Sequence, residues 1–136
     1  MATLSGGCLC GAVRYECSEE IAMSALCFCR DCQHTTGGAF SAGFLVPKGS
    51  FKLLKGKLTA YETIADNGNK VVRNFCPTCG SPIMVGLSGF PDLVEVAAGS
   101  LDDASRYKPA ISIFTSSAAP WAKVPSDIPG HAKMPE

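Results

Sequence analysis

NFCPTCGSPI, residues 74–83, is the stretch from which the rest of the chain can be read. Cys76 and Cys79 form a C-x-x-C; Pro77 favours a bend inside it, and Gly80 permits a positive φ directly after it. The flanks are strand-like, KVVRNF before and PIMVG after. A tight turn between two strands therefore carries two thiols at its tip. Zinc takes four ligands in a tetrahedron, with Zn–S near about 2.3 Å. Two thiols fill half of that shell, so the other half has to come from a distant part of the chain.

GGCLCGAVRYEC, residues 6–17, supplies it. Cys8 and Cys10 form a C-x-C followed by Gly11. With Cys76 and Cys79 they make a closed four-thiolate set, a structural zinc site that would staple the N-terminal segment to the second half of the chain. The competing reading is two redox or disulfide pairs. A thioredoxin-like C-x-x-C would need an accompanying βαβ pattern, which the sequence does not have. Cys17 stands alone and reads as a buried thiol on the inward side of the first strand.

The third group is CFCRDCQ, in which Cys27, Cys29 and Cys32 place three thiols within six residues. Three protein ligands with one vacant position describe a reactive zinc. Three thiolates on a divalent ion leave a net charge near −1, so such a centre is a weak Lewis acid. Its softness suits an incoming thiolate better than water. Two other readings stand beside this one: a closed site in which His34, or the more distant His131, supplies the fourth ligand, and a disulfide between two of the three. Arg30 either pairs with a substrate carboxylate or is solvated, and Trp121 reads as a core or lid aromatic.

Around these clusters the pattern is mainly β. Short alternating or β-rich runs, AVRYEC, FSAGFLV, SFKLL, KLTAYET, KVVRNFC, PIMVG, LVEVAAG and ISIF, are separated by Gly and Pro. RDCQHTTG predicts a short helix from Arg30, stopped by Gly37 and Gly38. LDDASRY predicts a second turn capped by Ser100. After Ala119 four prolines mark an irregular closing segment tied down by Trp121. The 136 residues fit one domain, 1–136, with its core at about 5–129.

Lys+Arg and Asp+Glu are equal at twelve each, and the formal net charge is zero. Phosphate-backbone binders carry a basic excess, so nucleic acid is not an expected partner. No phosphate-cradling glycine motif is present. The N-terminus has no secretory pattern, and no apolar run is long enough to span a bilayer. The expectation is a soluble, cytoplasmic protein without a membrane partner. In a reducing compartment its eight cysteines serve metal binding or catalysis rather than disulfides.

Four stretches resemble one known family. GGCLCGAVRYEC, CFCRDCQHTTGGAF, NFCPTCGSPI, and GSLDD with a late APW occur in the order found in the glutathione-dependent formaldehyde-activating enzymes, whose domain also occurs in a centromere-protein relative. The resemblance covers about residues 5 to 129. It implies a mainly β fold of β-tent type, several small antiparallel sheets around zinc with one or two short helical turns. It implies two zinc ions per chain: a structural one on Cys8, Cys10, Cys76 and Cys79, and a reactive one on Cys27, Cys29 and Cys32. The implied activity is carbon–sulfur lyase chemistry run in reverse, adding glutathione or a similar thiol to formaldehyde or another small carbonyl. A non-catalytic thiol carrier and a structural zinc-binding interaction module are the alternatives. Many relatives carry His where this chain has Phe28, a position outside the ligand pattern.

Overall fold

The computed structural model describes residues 2–135. Ten strands run in chain order as β1 (Thr3–Gly7), β2 (Arg14–Ser18), β3 (Met23–Cys27), β4 (Ser41–Pro47), β5 (Lys52–Lys55), β6 (Thr59–Ile64), β7 (Lys70–Phe75), β8 (Pro82–Leu87), β9 (Leu93–Ala97) and β10 (Ile111–Ile113). One α-helix, α1 (Arg30–Thr36), joins β3 to β4, and four short 3-10 turns complete the regular structure. The expected mainly β domain is found. Its strands form a three-stranded sheet, β1-β2-β5, and a larger seven-stranded one, β10-β3-β4-β9-β8-β7-β6. All pairs are antiparallel except β10 on β3.

The core lies where the small sheet covers one face of the large one. Leu4, Val13, Tyr15 and Cys17 meet Phe44, Val46, Val94 and Val96 there, and all eight are buried. Cys17 is thus the core thiol that the alternation in AVRYEC predicts. Burying each large apolar side chain of this kind stabilises the fold by about 1.5–3 kcal/mol. Tyr15 also stacks on Phe51, with ring centroids 5.0 Å apart. Its hydroxyl is satisfied by the Ser100 hydroxyl at 2.6 Å, and the Ser100 hydroxyl donates to the Ala97 carbonyl at 2.7 Å.

Ser100 is therefore occupied in the core and does not cap the turn predicted after it. The cap falls to Asp103, whose carboxylate accepts from the Ser105 backbone N–H at 3.0 Å. The closing segment also departs from expectation. Trp121 is 70% exposed and anchors nothing. Backbone pairing holds the tail instead: Ser112 donates to the Pro129 carbonyl and His131 to that of Ser112, both at 2.9 Å.

The opposite face of the large sheet stays open as a cleft. Antiparallel register places Met23, Leu45, Glu95, Val85, Arg73 and Tyr61 in one cross-strand row, so they share that face. Cys27 ends β3 on the same face, two alternations beyond Met23.

Candidate metal centres

The two turns of the four-cysteine group are built alike. In the first, Gly11 adopts a φ of 81° and donates to the Cys8 carbonyl at 3.2 Å, while Cys8 donates to the Val13 carbonyl at 3.1 Å. In the second, Gly80 adopts a φ of 79° and donates to the Cys76 carbonyl at 2.8 Å, while Cys76 donates to the Ser81 carbonyl at 3.0 Å. Both glycines sit in the left-handed region, which a Cβ disfavours. Each turn adjoins a strand irregularity, at Arg14/Tyr15 and at Asn74/Phe75, which re-aims its thiols. A crosswise hydrogen bond, Leu9 N–H to the Ser81 hydroxyl at 3.0 Å, locks the turns together.

The result is four sulfur atoms within 4.8 Å of one another, from Cys8, Cys10, Cys76 and Cys79. Cys8 and Cys10 Sγ are 3.6 Å apart, and Cys10 and Cys76 Sγ are 3.9 Å apart. A tetrahedron with metal–sulfur bonds of about 2.3 Å has edges of about 3.8 Å, so the set fits such an ion. All eight cysteines are free. Hydrogen bonds from the Ser81 hydroxyl and backbone N–H hold the Cys79 thiol down to about 5, whereas the Cys10 thiol is pushed up to about 11.

The three-cysteine group is local. Cys27 closes β3, Cys29 is the N-cap of α1, and Cys32 lies in its first turn. Cys29 has an extended backbone, and its Sγ accepts from the Cys32 N–H at 3.3 Å. The helix stops where the sequence predicts: Gly37, left-handed at φ 70°, donates to the Gln33 carbonyl at 2.8 Å. Buried Gln33 clamps the loop, donating to the carbonyls of Phe28 at 2.8 Å and Ser117 at 3.0 Å. Phe28 points into the interior, fully buried, with its ring 5.3 Å from that of Phe40.

The three sulfurs lie within 4.8 Å of one another, and among the described residues no histidine or carboxylate joins them. His34 stands on the far side of the helix with Arg30, its Nε2 3.5 Å from the guanidinium. Arg30 itself bonds the Gln33 side chain. Neither His34 nor His131 therefore belongs to the cluster. Hydrogen bonds from the Cys27 and Cys32 thiols push the Cys29 pKa far down, to about 2, and correspondingly raise that of Cys27.

Cys27, Cys29 and Cys32 line the same cleft as Gly43, Arg73 and Glu95. The sequence reading did not single out Arg73 or Glu95. A signal was present in LVEVA, where an acidic residue sits among apolar ones on an inner strand. Next to Cys27, Phe114 takes a left-handed backbone, φ 55° and ψ 38°, unusual for an aromatic residue and costly by about 1–3 kcal/mol. It follows Ile113, which pairs with Cys27 and whose carbonyl accepts the Phe28 N–H at 3.0 Å.

A crystal structure of a Rhodobacter sphaeroides protein is similar at a TM-score of 0.61. The two share 22% sequence identity, over 73% of this chain and 88% of that one, a likeness of fold. The family described as "Glutathione-dependent formaldehyde-activating enzyme" matches residues 3–117, a span that contains both cysteine groups and the whole cleft-bearing sheet. The chain therefore belongs to the glutathione-dependent formaldehyde-activating enzyme family.

Proposed function

We propose that the protein is a zinc-dependent carbon–sulfur lyase-type enzyme that joins a thiol such as glutathione to formaldehyde or a similar small carbonyl. Cys8, Cys10, Cys76 and Cys79 hold a structural zinc, and Cys27, Cys29 and Cys32 hold a second, reactive one. The observation that carries this reading is the unequal completion of the two groups. The first gathers four sulfurs, whereas the second gathers three and faces the cleft without a fourth ligand among the described residues. Zinc at the second site would keep an incoming thiol ionised and nucleophilic.

The chain's own contribution is positional. The Cys29 cap and the Gln33 clamp fix the loop from Cys27 to Cys32, and Phe28 and Phe40 wall it from the interior side. The thiol substrate and the carbonyl meet in the cleft, where orientation alone can supply several kcal/mol toward the barrier. No helix among the described residues is long and apolar enough to cross a membrane. Eight free thiols suit a reducing cytoplasm.

The test is carbon-13 NMR of formaldehyde and glutathione with zinc-loaded protein, beside metal analysis. Adduct formation well above the uncatalysed rate, with two zinc per chain, is the expected result. Cys32→Ala should lose one zinc and at least ~10³-fold in turnover while remaining folded. Glutathione binding without acceleration would make the protein a thiol carrier instead.

A further inference from the structure

Glu95 lies mid-sheet on β9, on the cleft face, between Val85 and Leu45 in the cross-strand row. Its carboxylate leans along the sheet over Gly43, so closely that a Cβ at Gly43 would collide with it. Gly43 is two residues from Ser41, which pairs with Cys27. The carboxylate is thus displaced along β4 toward the row of Cys27, within the cleft that Cys27, Cys29 and Cys32 also line. Glu95 is not a ligand of the cluster.

The three ion pairs of the described residues, Arg14–Asp102, Lys70–Glu62 and Arg106–Glu19, leave Glu95 without a partner. The cation that acts on it is Arg73 of β7, whose guanidinium donates to the Thr63 hydroxyl at 3.1 Å. Cys29 at the head of α1 and Tyr107, whose hydroxyl donates to the Ala25 carbonyl at 2.8 Å, are the other titratable groups close enough to act on Glu95. Burial raises the Glu95 pKa and Arg73 opposes the rise. A carboxylate in such surroundings accepts a proton more readily when another negative charge arrives nearby.

Resting on the functional reading above, we propose that Glu95 is a catalytic proton carrier between thiol and carbonyl. The Glu95 carboxylate takes the proton of the incoming thiol. As the carbon–sulfur bond forms and the carbonyl π-bond opens onto oxygen, the Glu95 carboxyl returns that proton to the oxygen. The product is the neutral S-hydroxymethyl adduct, and Glu95 ends as it began. No external oxidant, reductant or net proton is required. Gly43 serves as the positioning residue that leaves room for the carboxylate.

The test is glutathione binding to the zinc-loaded protein by calorimetry in buffers of different ionisation enthalpy, which counts protons released per thiol bound. The wild type is expected to release close to none, because Glu95 keeps the proton. Glu95→Gln is expected to release about one, with unchanged zinc content and a fall in kcat of about 10²–10⁴. Gly43→Ala, which keeps the carboxylate but pushes it aside, should behave in the same sense. Equal proton release and equal kcat in wild type and Glu95→Gln would overturn the proton-carrier role and leave the thiol reading standing. Absence of glutathione binding in the wild type would overturn the thiol reading, and this inference with it.

Discussion

The two cysteine groups use the same side chain in opposite ways. The four-sulfur group joins parts of the chain that are far apart: 66 residues separate Cys10 from Cys76. Its turns are fixed by glycines at positive φ and by the Leu9–Ser81 hydrogen bond, which bring its four sulfurs together. The three-sulfur group spans a strand end, a helix cap and a first helical turn, and it links nothing distant. One is a cross-link and the other a mounting. Breaking the first should remove the fold, and breaking the second should remove chemistry and leave the fold.

The largest effect should come from Cys79→Ser. Structural zinc contributes an apparent free energy of about 10–16 kcal/mol. A domain's net stability is only about 5–15 kcal/mol. The variant should lose cooperative thermal unfolding at room temperature by circular dichroism, as should the wild type stripped by a strong chelator. Next in size is Phe28→Ala, which empties a fully buried site beside the reactive loop. It should cost about 3–5 kcal/mol in denaturant unfolding. It should also weaken metal retention at Cys27, Cys29 and Cys32 before that at the other group, giving the comparison a graded case.

Smaller effects test the cleft side of the comparison. Because the Glu95 pKa is raised in the folded state by burial, the folded protein holds that proton more tightly than the unfolded chain. Stability from this group is fully present below the ordinary carboxylate range and is lost as pH rises through the raised value. Glu95→Gln should therefore melt above the wild type at neutral pH, and the difference should shrink in acid. The smallest effect belongs to His34→Ala. With His34 outside the cluster, zinc content should not change and stability should stay within about 0.5 kcal/mol. Loss of one zinc per chain would make the second group a closed four-ligand site and erase the contrast drawn above.

Both cysteine groups were legible in the sequence because their geometry is set by neighbours: C-x-C with Gly11, C-x-x-C with Pro77 and Gly80, and a three-thiol run leading into a helix stopped by Gly37. Most strands were legible for the same reason. Strand β1 was not, because Gly6 and Gly7 lower β-propensity locally while the fold demands them. The Tyr15 hydroxyl and the Ser100 carbonyl lie where a Cβ of Gly6 would be, and the Val13 carbonyl where one of Gly7 would be. Strand β3 was missed because MSALC lacks β-branched residues and is buried along its centre by strands on both sides. Glu95 was not singled out because its one signal, an acidic residue amid the apolar ones of LVEVA, does not tell which face of the strand stays open. Trp121 was misread because an aromatic in a proline-rich tail resembles an anchor, whereas the tail is held by main-chain bonds to β10.

The distance between the two halves of the four-sulfur group also has a consequence in time. A ribosome delivers the chain from its N-terminus, so Cys8 and Cys10 emerge well before Cys76 exists. Crossing those 66 residues at about 5–20 residues per second takes roughly 3 to 13 seconds. Throughout that interval the nascent chain displays two adjacent thiols without their intended partners, and within it Cys27, Cys29 and Cys32 appear as a ready-made rival for metal. On the proposed two-zinc reading, the order of synthesis favours filling the mounting before the cross-link, and a shortage of zinc during translation would be felt first by whichever group is completed last.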